Sequence, residues 1–253
     1  MNKDNSPQKT SPAYRLPALD TDFLLGDSMR GVRLQLEYEK AEEILRAWTV
    51  RSTIVAFGGA RVRQGNLWYE EARKFGHIAS EFGGALNIDG KARDNVIATG
   101  GGPGIMEAAN RGATEAGAPS IGFNIGLPRE QEPNAYSTPE LTFQFHYFAV
   151  RKLHFAMRAN ALVVFPGGFG TLDELFELLT LMQTNKMHRI PVVLVGEAYW
   201  NKLINFKYLI QEGMISPEDF KLFSFVEDAA KAWSKLLQLG LNTGPRPPGL
   251  PSC

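Results

Sequence analysis

The strongest constraint on this chain is a regular alternation, from residue 53 to residue 239, of short apolar runs with longer helical patterns. The runs are Thr53 to Phe57, Val96 to Thr99, Ser120 to Phe123, Thr142 to Phe145, Ala161 to Phe165, Val192 to Val195 and Phe223 to Val226. Each is short and mostly β-branched or aromatic, the composition that suits a buried pleated surface. Helical periodicity separates most of them, over Leu67 to Phe82, Ile105 to Ala116, Tyr147 to Ala159, Leu172 to Lys186, Ala198 to Glu212 and Asp228 to Leu239. Strand, helix, strand in that rhythm predicts right-handed βαβ units. The expected fold class is therefore α/β, with a mainly parallel sheet of about seven strands and helices on both faces.

With 253 residues, 44% hydrophobic and 21% charged, the chain can bury one sizeable core and is neither disordered nor fibrous. Residues 1–20, rich in Ser, Pro and Asn, and residues 241–253, with Pro245, Pro247, Pro248 and Pro251, read as flexible tails around a single domain at 21–240. Within that domain Leu34, Tyr38, Ala41, Leu45 and Trp48 form one apolar stripe of a packing helix, with Asp27 as a possible N-cap. Basic and acidic residues balance at 27 each, so binding along a nucleic-acid backbone, which needs a basic excess, is not expected. The one cysteine, Cys253, excludes an intramolecular disulfide framework and any multi-cysteine metal site. The polar residues 1–14 contain no apolar signal region, and no run approaches a membrane span, so a cytoplasmic protein with no membrane partner is expected.

In open α/β sheets ligands sit beyond the carboxyl ends of the strands, where the chain turns into helices. Three such turns are glycine-rich: Gly58-Gly59-Ala60-Arg61, Gly100-Gly101-Gly102-Pro103-Gly104 and Pro166-Gly167-Gly168-Phe169-Gly170-Thr171. In the last two a helix follows at once, so free N–H groups and the positive end of the helix dipole would face the loop. A single loop of this kind is adequately explained as a tight turn. Three on one sheet edge favour a mononucleotide or another small phosphorylated ligand. No Walker A loop and no complete dinucleotide fingerprint is present.

Glu174, three residues after Thr171, admits two readings. It completes the Thr-x-x-Glu capping box, a purely structural device, or it stands beside whatever the loop holds. Arg151, His154 and Arg158 share a helical face, and the ordinary reading is a solvated basic stripe. Arg151, however, starts its helix, where a cation is unfavourable to the dipole unless a carboxylate or another anion is near. His77, His146 and His188 have no metal-ligand spacing.

Pro166 to Glu174, with Gly100 to Gly104 and Arg151-Lys152 upstream, resembles the LONELY GUY (LOG) family, long labelled lysine decarboxylase-like. The family's Pro-Gly-Gly-x-Gly-Thr-x-x-Glu is complete here, and its arginine stands 23 residues before the glutamate, as Arg151 does before Glu174. The resemblance covers about residues 50–240. It implies a Rossmann-like phosphoribohydrolase that frees the base of a nucleoside 5′-monophosphate such as AMP or a cytokinin riboside monophosphate. It also implies a homodimer or an assembly of dimers and no dissociable cofactor. Glu174 and Arg151 would be the catalytic pair, and Gly167, Gly168, Gly170 and Thr171 would hold the 5′-phosphate. Gly59, Arg61, Gly101, Gly102 and Lys152 are the further substrate-binding candidates. The decarboxylase label is rejected, because no lysine stands where a Schiff base is suggested. A binding module of the same architecture, such as a molybdenum-cofactor carrier or a nucleotide sensor, is the competing expectation. The segment Asn124 to Pro139, with Pro128, Arg129, Glu130 and Asn134, resembles the longer bacterial subgroup and is expected to line the pocket.

Overall fold

The computed structural model describes residues 3–87, 91–126 and 132–243, which divide into two compact units, Met1–Glu42 and Glu43–Cys253. The tail residues 244–253, Cys253 among them, lie outside the described residues, as do Pro128, Arg129 and Glu130. In the first unit, residues 1–20, expected as a tail, include the short helix α1 (Ser6–Thr10), and α2 (Thr21–Leu25) follows before α3 (Arg30–Ala47) runs on past residue 42. The turns are locally held: Asp20 Oδ1 accepts from Phe23 N at 3.2 Å, and Arg33 Nη1 donates to the carbonyls of Leu24 and Gly26 at 2.7 and 2.6 Å. Asp27 opens a 3₁₀ turn ahead of α3 instead of capping it.

The second unit is a seven-stranded sheet of β1 (Thr53–Phe57), β2 (Val96–Thr99), β3 (Ser120–Ile125), β4 (Thr142–Phe145), β5 (Ala159–Val164), β6 (Val192–Val195) and β7 (Ser224–Val226). The order is β4-β3-β2-β1-β5-β6-β7 and every pair is parallel. All residues of β1 and β2 are buried, as strands covered on both faces must be. On one face lie α4 (Leu67–Phe82), α5 (Ile105–Glu115) and α10 (Ala229–Gln238), whose Phe75, Ala108 and Ala232 join Ile54, Ile97 and Val163 in one core. On the other, Phe155 of α6 (Phe148–Met157) meets Phe57 and Phe123 edge-on, with ring centres 4.8 and 5.1 Å apart.

α7 (Phe169–Gln183) follows β5. The single helix expected over Ala198 to Glu212 is two, α8 (Glu197–Leu203) and α9 (Phe206–Gln211), because Ile204 is extended and Asn205 Oδ1 caps Tyr208 N at 3.0 Å. Sequential strands step outward from β1 to β4, after which α6 carries the chain back to β5 on the other side of β1. β1 and β5 thus flank the topological switch point, the place where an open α/β sheet leaves a crevice.

Candidate active site

At that point the loops leaving β1 and β5 meet, and Gly59 N donates to the Pro166 carbonyl at 2.9 Å. A cleft of about 720 Å³ opens beside them, walled by Gly58 to Arg61, Met106, Phe148, Arg151, Gly167 to Glu174, Tyr199 and Leu203. Gly167 is required by close packing, since a Cβ there would lie 2.7 Å from Thr171 Cβ and 2.9 Å from Gly59 N. Gly168 and Gly170 answer to no packing demand: a Cβ on either meets nothing within 4 Å, so their bare backbone is left accessible to a ligand.

Gly168, extended at φ −97° and ψ −151°, is the N-cap of α7 and supplies no side-chain cap. Among the described residues, the N–H groups of Phe169, Gly170 and Thr171 have no acceptor. These unsatisfied donors at a helix start are the elements of an anion seat. Because the helix begins at Phe169, Thr171 is its third residue and does not cap it, so the capping box is not formed. Glu174, buried at 5% exposure, faces Arg151 instead, with Oε1 3.6 Å from Nη1.

Arg151, 9% exposed, is held on several sides. Its Nε donates to the Phe123 carbonyl at 2.7 Å, beyond the point where β2 ends opposite Gly122, and its guanidinium lies 5.1 Å from the centre of the Phe155 ring. The expected solvated stripe is not present. Arg151 and His154 are buried, and His154 stacks on Phe123 with ring centres 5.9 Å apart. Burial pushes the Glu174 carboxyl up to about 7, against the opposing pull of Arg151 and Lys152. Burial also lowers the Arg151 guanidinium, opposed by Glu174 and Asp173, yet an arginine stays charged at neutral pH.

The remaining candidates separate. Gly59 and Arg61 line the cleft, Arg61 with an exposed side chain that has no partner among the described residues. Lys152 is not in the lining; its Nζ lies 2.9 Å from Asp173 and 3.2 Å from Glu177. Gly101 and Gly102 also stand outside it. Their carbonyls accept from Asn134 Nδ2 at 3.1 and 3.2 Å, and Gly101 N donates to Thr99 Oγ1 at 3.0 Å. Sequence reading missed Tyr199, whose hydroxyl donates to the Gly167 carbonyl at 2.6 Å, and Met106, in the first turn of α5. No motif marks either residue; only the folded arrangement brings them to the cleft.

Fold and site together define a Rossmann-type α/β protein with a buried arginine and glutamate beside unsatisfied N–H groups at a helix start. A family model described as "Possible lysine decarboxylase" matches residues 106–236, just over half of the chain, and the chain belongs to that family, the LOG family. A cytokinin riboside 5′-monophosphate phosphoribohydrolase of Arabidopsis thaliana is 32% identical over 129 residues, which are 49% of this chain and 58% of that relative. The match thus spans less than two thirds of the relative's length. Among solved structures, the molybdenum cofactor binding protein of Rippkaea orientalis is 18% identical with a TM-score of 0.51, covering 75% of this chain and 97% of that one. The molybdenum cofactor carrier protein of Chlamydomonas reinhardtii is 25% identical with a TM-score of 0.50, covering 75% and 98%. Among the described residues, no helix is long and apolar enough to cross a membrane.

Proposed function

We propose that this protein hydrolyses the N-glycosidic bond of nucleoside 5′-monophosphates, AMP or cytokinin riboside 5′-monophosphates, to free base and ribose 5-phosphate. The observation that carries this reading is the buried Arg151–Glu174 pair, 3.6 Å apart, on the wall of the same cleft as the unsatisfied N–H groups of Phe169, Gly170 and Thr171. The 5′-phosphate sits on those N–H groups, with Arg61 within the same cleft as a further cation. Anchoring it there fixes the ribose and supplies binding energy remote from the bond that breaks.

Glycoside cleavage passes through an oxocarbenium-like state. As a carboxylate, Glu174 stabilises that positive charge and takes a proton from the attacking water. Arg151 offsets the negative charge that gathers on the departing base, without changing its own protonation. The fold leaves these groups close but not locked in a tight ion pair, so both remain able to face substrate. The phosphoribohydrolase name of the Arabidopsis relative supports the reading. A homodimer or an assembly of dimers in the cytoplasm belongs to the same proposal. Phe169 at 92% and Phe148 at 51% exposure, both at the cleft, are apolar surfaces that a second chain would cover.

Lysine decarboxylation is disfavoured by Lys152. Burial lowers its ammonium, but Asp173 and Glu177 outweigh burial and hold it above the ordinary value, the reverse of what a Schiff-base lysine needs. The competing carrier reading rests on the likeness to the Chlamydomonas carrier, which extends over 98% of that chain. Incubation of the purified protein with AMP, other nucleoside monophosphates and isopentenyladenosine monophosphate, with chromatography of the products, separates the two. Base release from monophosphates but not from nucleosides is expected. Binding without release from any of them sinks the hydrolase and favours the carrier.

A further inference from the structure

The loop after β2 resembles the loop after β5 in composition, and part of its backbone is bonded within the fold. Gly101 N–H is given to Thr99 Oγ1, and Ile105 N–H, the first of α5, goes to the Gly59 carbonyl at 3.2 Å. The Gly101 and Gly102 carbonyls are taken by Asn134, whose backbone N also donates to Gly101 O at 2.8 Å. The donors at Gly101 and Ile105 are thus occupied, while the N–H groups of Gly102, Gly104, Met106 and Glu107 have no acceptor among the described residues. What this loop does touch is Arg151. A Cβ on Gly100 would lie 2.6 Å from Arg151 Nη2 and 2.8 Å from Met106 Sδ. Gly100 does not have a positive φ, so the missing side chain serves space and not backbone conformation.

We propose that the Gly100–Gly104 loop is the cradle of Arg151, with Gly100 as a positioning residue against which the guanidinium is set and Asn134 as the clamp that holds the loop. Three supports then fix the arginine: the Phe123 carbonyl on Nε, the Phe155 ring on one face of the guanidinium, and the bare Gly100 Cα beside Nη2. A methyl group at position 100 fills the third place and turns Nη2 away. The backbone and the far ends of two flexible side chains can absorb it, so Gly100→Ala is expected to fold.

The inference rests on the hydrolase reading for its kinetic test only. In Gly100→Ala, kcat for AMP is expected to fall about 10- to 100-fold, the scale of an ångström-sized misplacement. KM and the affinity for ribose 5-phosphate, read by calorimetry, stay within about twofold, because the added methyl meets Arg151 and Met106 and not the start of α7, the proposed phosphate seat. In an Arg151→Ala background the same change is expected to cost nothing further, since the group it displaces is gone. Asn134→Ala, which frees the loop without adding an atom, is expected to lower kcat while leaving ribose 5-phosphate binding intact, and it keeps the test available if Gly100→Ala is poorly folded. An unchanged kcat in both variants overturns the proposal. So does a loss of ribose 5-phosphate affinity, which would make the loop a phosphate seat, or a full extra loss of kcat on top of Arg151→Ala. If the wild-type protein hydrolyses no monophosphate, the hydrolase reading fails alone. The cradle is then read from the Arg151 Nε–H resonance by NMR, which is expected to shift in Gly100→Ala and overturns the cradle if it does not move.

Discussion

Glu174 is a carboxyl held in its protonated form up to about pH 7 by burial, with only partial relief from the guanidinium 3.6 Å away. The proposed chemistry uses the carboxylate, so activity on AMP should rise with pH through about 7 and level off above it. A kcat/KM profile that falls with rising pH over this range would contradict a base at this position. Glu174→Gln keeps the shape and removes the base, and kcat should drop by about 10²- to 10⁴-fold while the fold is retained. The same shift is a stability statement. The folded-state value is raised, so the folded protein holds this proton more tightly than the unfolded chain. The group's contribution is greatest below its ordinary value near 4.5 and is lost as pH rises through about 7. Glu174→Gln lacks that slope. Its stability relative to wild type should therefore improve by about 3 kcal/mol between pH 4 and pH 8, as measured by denaturant unfolding. A difference that is flat with pH would show that Glu174 titrates normally.

At the scale of elements, the closest packing is between α4 and α5. Gly76 of α4 lies against the backbone of Ala109, and Gly112 of α5 against the Arg73 carbonyl. A Cβ at 112 would overlap that carbonyl oxygen and come 2.7 Å from His77 N, and neither backbone atom can move without its helix. Gly112→Ala should cost about 1 to 3 kcal/mol, seen as a lower denaturation midpoint, with kcat unchanged at low temperature because α5 reaches the cleft only through Met106, in its first turn. These elements were largely legible: β1, β2, β4, β6 and α4 have the bounds expected from composition and period. Where the expectation failed, a competing local interaction explains it. Asn205 restarts a helix in the middle of an apparent one, and the Gly167-Gly168 turn begins α7 two residues before Thr171, so the Thr-x-x-Glu pattern occurs without its cap. The solvated stripe of α6 failed for another reason. Periodicity tells which residues share a face and not what that face meets, and here Phe123 and Phe155 cover it.

For the whole molecule, the crossing from β4 back to β5 brings residues far apart in sequence to one crevice: Gly59 and Arg61, Arg151, and the Gly167 to Glu174 turn. The exposed Phe148 and Phe169 belong to that same cleft, and sedimentation equilibrium should give the mass of two chains or a multiple of it. A single-chain mass at micromolar concentration would remove the second chain from the proposal. By itself the sequence determined the α/β class, the number of strands and the three glycine turns, because local propensity and period are properties of a string of residues; the pairing of Arg151 with Glu174 was implied only by the family resemblance. Only the tertiary structure decided that the three turns differ. Which N–H groups remain unsatisfied depends on acceptors brought in from elsewhere in the fold: Thr99 and Gly59 occupy those of Gly101 and Ile105 in the second loop, and none among the described residues occupies those of Phe169, Gly170 and Thr171 in the third. Burial acts in the same way, since a glutamate's proton affinity is set by the water that the packed chain removes from around it.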